Sequence, residues 1–261
     1  MNLGLKLRRC LVTGASRGIG LAVAEALATE GADVLLLARD ASALEREASR
    51  LSSRYGVRAV PVVADMATES AGGHIARGIA GLGGIDVLVN CAGASKFGQF
   101  DELNDDDWND AFQLKVLGYV RAVRAVQEKM RAQRSGRIVN VVGMAGRHAS
   151  TGYVLGCLNA ALLHLTKTWA EALAPHGVSV VAVNPGSTAT DRMNVHLSAL
   201  ARAQGTDEQA FIAEYAAGIP AGRLATAPEV AGIVAFLCSD RASYITGSSI
   251  DVEGGAMRGT F

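Results

Sequence analysis

Excess charge of either sign is missing from this chain. Its 25 Lys and Arg balance 25 Asp and Glu, so the formal net charge is zero at pH 7. Without a basic excess a protein is poorly equipped to neutralise phosphates, which sets nucleic-acid binding aside. No apolar run approaches the roughly 20 residues that span a bilayer, so no membrane partner is expected. The opening MNLGLKLRRC has no apolar segment after its basic pair, so no signal peptide and a cytoplasmic location are expected. Cysteine is scarce: Cys10, Cys91, Cys157 and Cys238 are scattered without metal-ligand spacing. They make neither a metal site nor a disulfide framework and read as small buried hydrophobes in a reducing cytosol. What the chain does have is 261 residues, of which 49% are hydrophobic. That suffices for a large core and excludes intrinsic disorder.

Only 5 prolines interrupt the chain, whereas glycine is plentiful at 30. Short apolar runs alternate with longer Ala-rich stretches. The runs Arg9–Thr13, Asp33–Ala38, Ala59–Ala64, Asp86–Asn90, Arg137–Val142, Val178–Asn184 and Ser249–Val252 read as strands. Several are apolar throughout, as parallel strands covered on both faces must be. Helices are expected near Ile19–Glu30, Ser42–Tyr55, Thr68–Ala80, Asp105–Arg131, Leu155–Ala174 and Pro228–Ser239. Repeated βαβ units of this kind predict an α/β fold. It is a single Rossmann-like, doubly wound parallel sheet of about seven strands with helices on both faces. No linker or repeat divides the chain, so one domain over 1–261 is expected. Ser187–Arg223 lacks a strand pattern and reads as a substrate loop or lid with its own helices. The acidic run Asp101, Glu102, Asp105, Asp106 and Asp107 sits at a helix start, where capping accounts for it better than a cation site does.

The first strand runs into Thr13-Gly14-Ala15-Ser16-Arg17-Gly18-Ile19-Gly20. Glycines there tighten the turn and let backbone approach a pyrophosphate, while the next helix offers free N–H groups. The G-x-x-x-G-x-G spacing resembles the classical short-chain dehydrogenase/reductase family. Asn90-Cys91-Ala92-Gly93 is similar to its Asn-Asn-Ala-Gly motif, and Asp65-Met66 to its adenine-contacting pair. Asn184-Pro185-Gly186 with Thr188 and Thr190 resembles its nicotinamide-contacting segment. Pro220-Ala221-Gly222-Arg223 and Gly247 through Gly254-Gly255 match its C-terminal pattern. The resemblance implies a nicotinamide dinucleotide cofactor touched by Gly14, Ser16, Arg17, Gly18, Ile19, Gly20, Asn90, Ala92 and Gly93. It implies a small carbonyl or alcohol substrate and a homo-oligomer, dimer or tetramer. After the second strand, where a carboxylate would select NAD(H), stands Ala38-Arg39. Arg39 with Arg17 suits a 2′-phosphate and favours NADP(H). The competing reading makes both ordinary surface arginines and leaves NAD(H) open.

The family's catalytic Ser, Tyr, Lys and Asn are all absent from their expected positions. The resemblance puts Gly143 at the serine, Leu155 at the tyrosine, Asn159 at the lysine and Lys115 at the asparagine. Either reductase chemistry is lost, or the constellation is rearranged. In the rearranged version Lys115 supplies the cation from the opposite wall, Asn159 meets the nicotinamide ribose, and Tyr153 enters as proton donor. The last requires an extended loop at Tyr153 rather than a helical start. A lyase or isomerase using the lysine, and a non-catalytic nucleotide-binding subunit, are the remaining alternatives.

Overall fold

A computed structural model describes residues 2–93 and 96–258. Its strands are β1 (Arg9–Thr13), β2 (Asp33–Ala38), β3 (Ala59–Val63), β4 (Val87–Asn90), β5 (Gly136–Val141), β6 (Val178–Pro185), β7 (Thr188–Ala189), β8 (Ala225–Thr226) and β9 (Ser249–Val252). Seven form one sheet in the order β3-β2-β1-β4-β5-β6-β9, parallel at every pairing. The apolar runs explain this: all eight residues of β6 are buried, so both of its faces need cover.

Helices α1 (Gly18–Thr29), α2 (Ala41–Tyr55) and α9 (Ala227–Leu237) cover one face. Their Val23, Leu27, Leu44, Leu51, Val230 and Val234 join Val12, Leu36 and Val89 in one core. On the other face are α3 (Ala71–Leu82), α5 (Gly118–Ala132) and α6 (Cys157–Leu173). There Ile75, Ile79, Val126 and Leu173 pack on Leu11, Leu35 and Ile138. Helix α2 is started by the Asp40 side chain, which accepts from the Ala43 N–H at 3.0 Å. The remaining helices are α4 (Asp105–Ala111), α7 (Asp191–Ala203) and α8 (Glu208–Ala217).

Two expected helices are not regular. The long one starting at Asp105 is α4, then a π-helical turn over Phe112–Leu117, then α5. The one expected from Leu155 starts with a 3₁₀ turn, Val154–Gly156, and is α-helical only from Cys157. Hydrophobic periodicity does not register one extra residue in a turn. The acidic run does serve capping: Asn104 accepts from the Asp107 N–H at 3.0 Å, and Asp107 accepts in return from the Asn104 N–H at 3.2 Å. In the lid, α7 and α8 stand between β7 and β8, a short parallel pair that the sequence pattern did not reveal. Among the described residues no helix is long and apolar enough to cross a membrane.

The order of strands reverses between β1 and β4. In an open parallel sheet such a reversal leaves a crevice at the carboxyl ends of the strands, where ligands bind.

Candidate active site

A cavity of about 1840 Å³ opens at that crevice and runs beneath the lid. Its first wall is the turn from β1 to α1, lined by Gly14, Ser16, Arg17, Gly18, Ile19 and Gly20. Gly14 has φ +70, and a Cβ there would stand 2.9 Å from the Ala92 Cα. A Cβ on Gly20 would collide with the Gly14 carbonyl. Backbone therefore packs on backbone, and the start of α1 faces the cavity with its N–H groups. The facing turn after β4 is pinned by Thr13, whose Oγ1 accepts from the N–H groups of Cys91 and Ala92, each at 3.0 Å.

Arg39, Asp65 and Met66 line the same end, and so does Arg46 of α2, which motif reading did not single out. Arg39 is 4.0 Å from Asp65 and its side chain is 70% exposed, so its guanidinium keeps donors for an anion. Ala92, Gly93, Pro185, Gly186, Thr188 and Thr190 line the middle of the cavity. Asn90 departs from its expected contact. Its side chain is fully buried, donates to Asn140 Oδ1 at 2.9 Å, and lies behind the wall. Asn140 continues the chain to Thr166 Oγ1 at 2.9 Å, so Asn90 ties β4 through β5 to α6.

The far end holds Lys115, Tyr153 and Asn159 together. The stem of Lys115 lies against Gly93, and its Nζ donates to the Val142 carbonyl at 2.8 Å. The ammonium thus sits in the cavity wall rather than snorkelling into bulk water. Burial pushes it below the ordinary lysine range; the Tyr153 phenol opposes that shift and Arg192 adds to it. The π-helical turn carries Lys115, and such turns recur where a helix serves a site. Arg121 holds the turn by donating to the Gln113 carbonyl at 2.9 Å and to the Met66 carbonyl at 3.0 Å.

Tyr153 stands just before the 3₁₀ turn with φ −148 and ψ 63, and its N–H donates to the Ser150 carbonyl at 3.2 Å, so a turn and not the expected extended loop brings it to the cavity. Its ring packs on Phe97 with centroids 4.9 Å apart. Leu155, which the sequence reading put at the family's tyrosine position, is buried with Leu103, Val116 and Leu158. Gly143 has φ +118, and a Cβ there would press on the Asn159 amide at 3.1 Å, so a serine at this position would be strained. Asn159 is 2% exposed and its Nδ2 is 3.4 Å from the Gly143 carbonyl. Its buried Oδ1 has no partner among the described residues, as expected of a group that waits for a ligand. A second phenol, Tyr119, is committed: its hydroxyl donates to the Val141 carbonyl at 2.7 Å, and burial pushes its pKa well up.

The glycine turn, the partnerless Asn159 oxygen and Arg39 near Asp65 fit a dinucleotide along the cavity. The family model described as enoyl-(acyl carrier protein) reductase matches residues 14–257. The 3-oxoacyl-(acyl-carrier-protein) reductase FabG of Aquifex aeolicus (strain VF5) is 36% identical over 257 residues, covering 98% of this chain and 99% of that protein. The chain belongs to the short-chain dehydrogenase/reductase family. Among solved structures of this family, L-sorbose reductase from Gluconobacter frateurii, complexed with NADPH and L-sorbose, has a TM-score of 0.94. It is 31% identical, with 99% of this chain and 100% of that one covered. NAD+-bound xylitol dehydrogenase has a TM-score of 0.90 at 32% identity, covering 96% and 99%.

The lid of this short-chain dehydrogenase/reductase contributes several side chains to the cavity. His196, Leu200, Phe211 and Tyr215 line the cavity, but Leu197 is fully buried within the lid. Phe97 and Arg192 were not singled out from sequence, because neither belongs to a motif. Phe97 stacks on His196 with centroids 3.6 Å apart, and the Arg192 guanidinium stands 4.9 Å from the Phe97 ring centre. Burial and then Arg192 hold His196 below the ordinary histidine range.

Proposed function

We propose that the chain is an NADP(H)-dependent oxidoreductase acting between a carbonyl and an alcohol, through a rearranged active site. The observation that carries this reading is the meeting of Lys115 and Tyr153 in one cavity, close enough for their charges to interact. NADP(H), when bound, supplies or takes up the hydride. In reduction Tyr153 gives its hydroxyl proton to the substrate oxygen as the carbonyl carbon gains the hydride; in oxidation it takes the proton back. The positive charge of Lys115 stabilises the phenolate left behind. Asn159 Oδ1 accepts from the nicotinamide ribose. Gly14, Ser16, Arg17, Gly18, Ile19 and Gly20 hold the pyrophosphate, with Pro185, Gly186, Thr188 and Thr190 around the nicotinamide.

The two solved relatives take different nucleotides. The choice here rests on Arg39, which supports NADP(H), with Arg46 lining the same cavity. Tyr153→Phe should slow hydride transfer by about two orders of magnitude, as loss of the general acid does. Stopped-flow absorbance of the reduced nicotinamide measures it, and a wild-type rate would remove Tyr153 from the mechanism. A second reading, a lyase or isomerase that uses Lys115 as base or amine nucleophile, draws on the lowered lysine pKa. Borohydride trapping of a substrate adduct on Lys115 separates the two.

A further inference from the structure

Two walls of the cavity must keep a fixed spacing for the proposed reaction, because hydride and proton reach the two ends of one carbonyl bond from different elements. Pro185 and Gly186, at the end of β6, belong to one wall; the segment from Gly143 to Tyr153, with Asn159, belongs to the other. Residues 148–152 of that segment are exposed, so packing alone holds them weakly. One carboxylate joins the two walls. Asp251 of β9 accepts from Arg147 Nη1 at 2.7 Å on one oxygen and from Asn184 Nδ2 at 2.7 Å on the other. Asn184 is fully buried, is the register partner of Asp251 and directly precedes Pro185. Arg147 directly follows the 3₁₀ turn Met144–Gly146. That turn is wedged against the start of α6. A Cβ on Gly146 would stand 2.8 Å from the Asn159 Cβ, and one on Gly156 would stand 2.8 Å from the Ala145 Cβ and 3.4 Å from the Tyr153 ring. Turn and helix start therefore move as one body, and Asn159 and Tyr153 move with them. Arg147 and Asp251 are not among the residues that line the cavity, and each side chain is 25% exposed. Both bonds to the carboxylate are charge-assisted and half-sheltered from water.

We propose that Asp251 is a positioning residue of the active site. Through Arg147 on one side and Asn184 on the other, it sets the distance between the proton-donating wall and the wall that receives the nicotinamide. The inference rests on the hydride-transfer reading above and extends the machinery to two residues outside the cavity. Loss of either charge leaves the other half-buried without its counter-ion and frees the turn.

The test compares Arg147→Gln, Arg147→Lys, Asp251→Asn and the double variant Arg147→Gln/Asp251→Asn, each in the full chain, with NADPH and a panel of ketones and aldehydes. Arg147→Gln and Asp251→Asn should each lower kcat by about tenfold or more, while the Kd of NADPH moves by less than about twofold. Arg147→Lys keeps a cation for Asp251 and should recover most of kcat. The double variant should be no slower than the slower single one, since both changes remove one contact. Hydrogen exchange with NADPH bound supplies a readout that needs no turnover. Amides of residues 144–156 should exchange faster in Arg147→Gln than in wild type, and at the wild-type rate in Arg147→Lys. A wild-type kcat in both single variants overturns the inference and leaves the reductase reading in place. So does a loss of kcat that Arg147→Lys fails to restore, or one matched by an equal loss of NADPH affinity, since the pair would then serve the fold as a whole. If wild type reduces no carbonyl but exchange still quickens in Arg147→Gln, the hydride-transfer reading fails and the tether between the walls stands. Unchanged exchange would remove the tether as well.

Discussion

At the scale of single residues, Lys115 trades stability for a charge. Its stem is packed on Gly93, and burial lowers the pKa of its ammonium. A lysine whose folded pKa lies below its unfolded value binds fewer protons when folded, over the interval between the two. Its contribution to stability is therefore full above the unfolded value near 10.5 and is lost as pH falls through the folded one. Lys115→Met keeps the stem and removes the charge. At neutral pH its Tm should hold or rise by about 2–4 °C, roughly 1 kcal/mol, while activity is lost. Thermal unfolding followed by circular dichroism checks this, and a marked fall in Tm would mean that the ammonium holds the fold together. Lys115, Asn159 and Gly143 were singled out in the sequence, and the structure brings them to one cavity. The role of Gly143 was not legible there, because a φ of +118 is a property of the backbone rather than of any motif. Arg192 and Phe97 were equally hidden, since they meet only through folding.

At the scale of elements, the seven strands of the main sheet were read almost residue for residue, because continuous apolar runs with polar ends leave little choice of register. The two helices that shape the far end were read as regular and are not. The π-helical turn at Phe112–Leu117 and the 3₁₀ turn at Val154–Gly156 bring Lys115 and Tyr153 to one place. Both shift side chains by a fraction of a turn, which composition does not record. Arg121 is what keeps the π turn open, through carbonyls of Gln113 and Met66. Arg121→Ala should cost about 1–2 kcal/mol and slow turnover several-fold, with nucleotide affinity less affected than rate. Urea unfolding alongside steady-state kinetics reads both quantities. A loss of stability with full activity would mean that the turn keeps its form without the arginine.

For the whole molecule, alternating strand and helix signals dictate a doubly wound sheet, and the sheet dictates where its crevice lies. The crevice and most of the residues expected to line it were legible for this reason, with Asn90 as the exception. Arg39 stands at the end of β2, open to the cavity, and it sets the account of nucleotide choice. Arg39→Ala should weaken NADPH by about tenfold or more and NADH far less, as removal of a phosphate-binding guanidinium does. Equilibrium fluorescence titration with both nucleotides decides it, and equal losses would reverse the assignment. The account as a whole depends on a cation from the helix opposite α6. Its most direct test is the single-turnover rate of nicotinamide oxidation against pH, in wild type and in Lys115→Met, at saturating NADPH. With Lys115 protonated and Tyr153 neutral in the active form, the wild-type rate should fall as pH rises through an ionisation below the ordinary lysine range. In Lys115→Met the rate should drop about a hundredfold and its alkaline limb should move to higher pH. Superimposable profiles for the two proteins would contradict it.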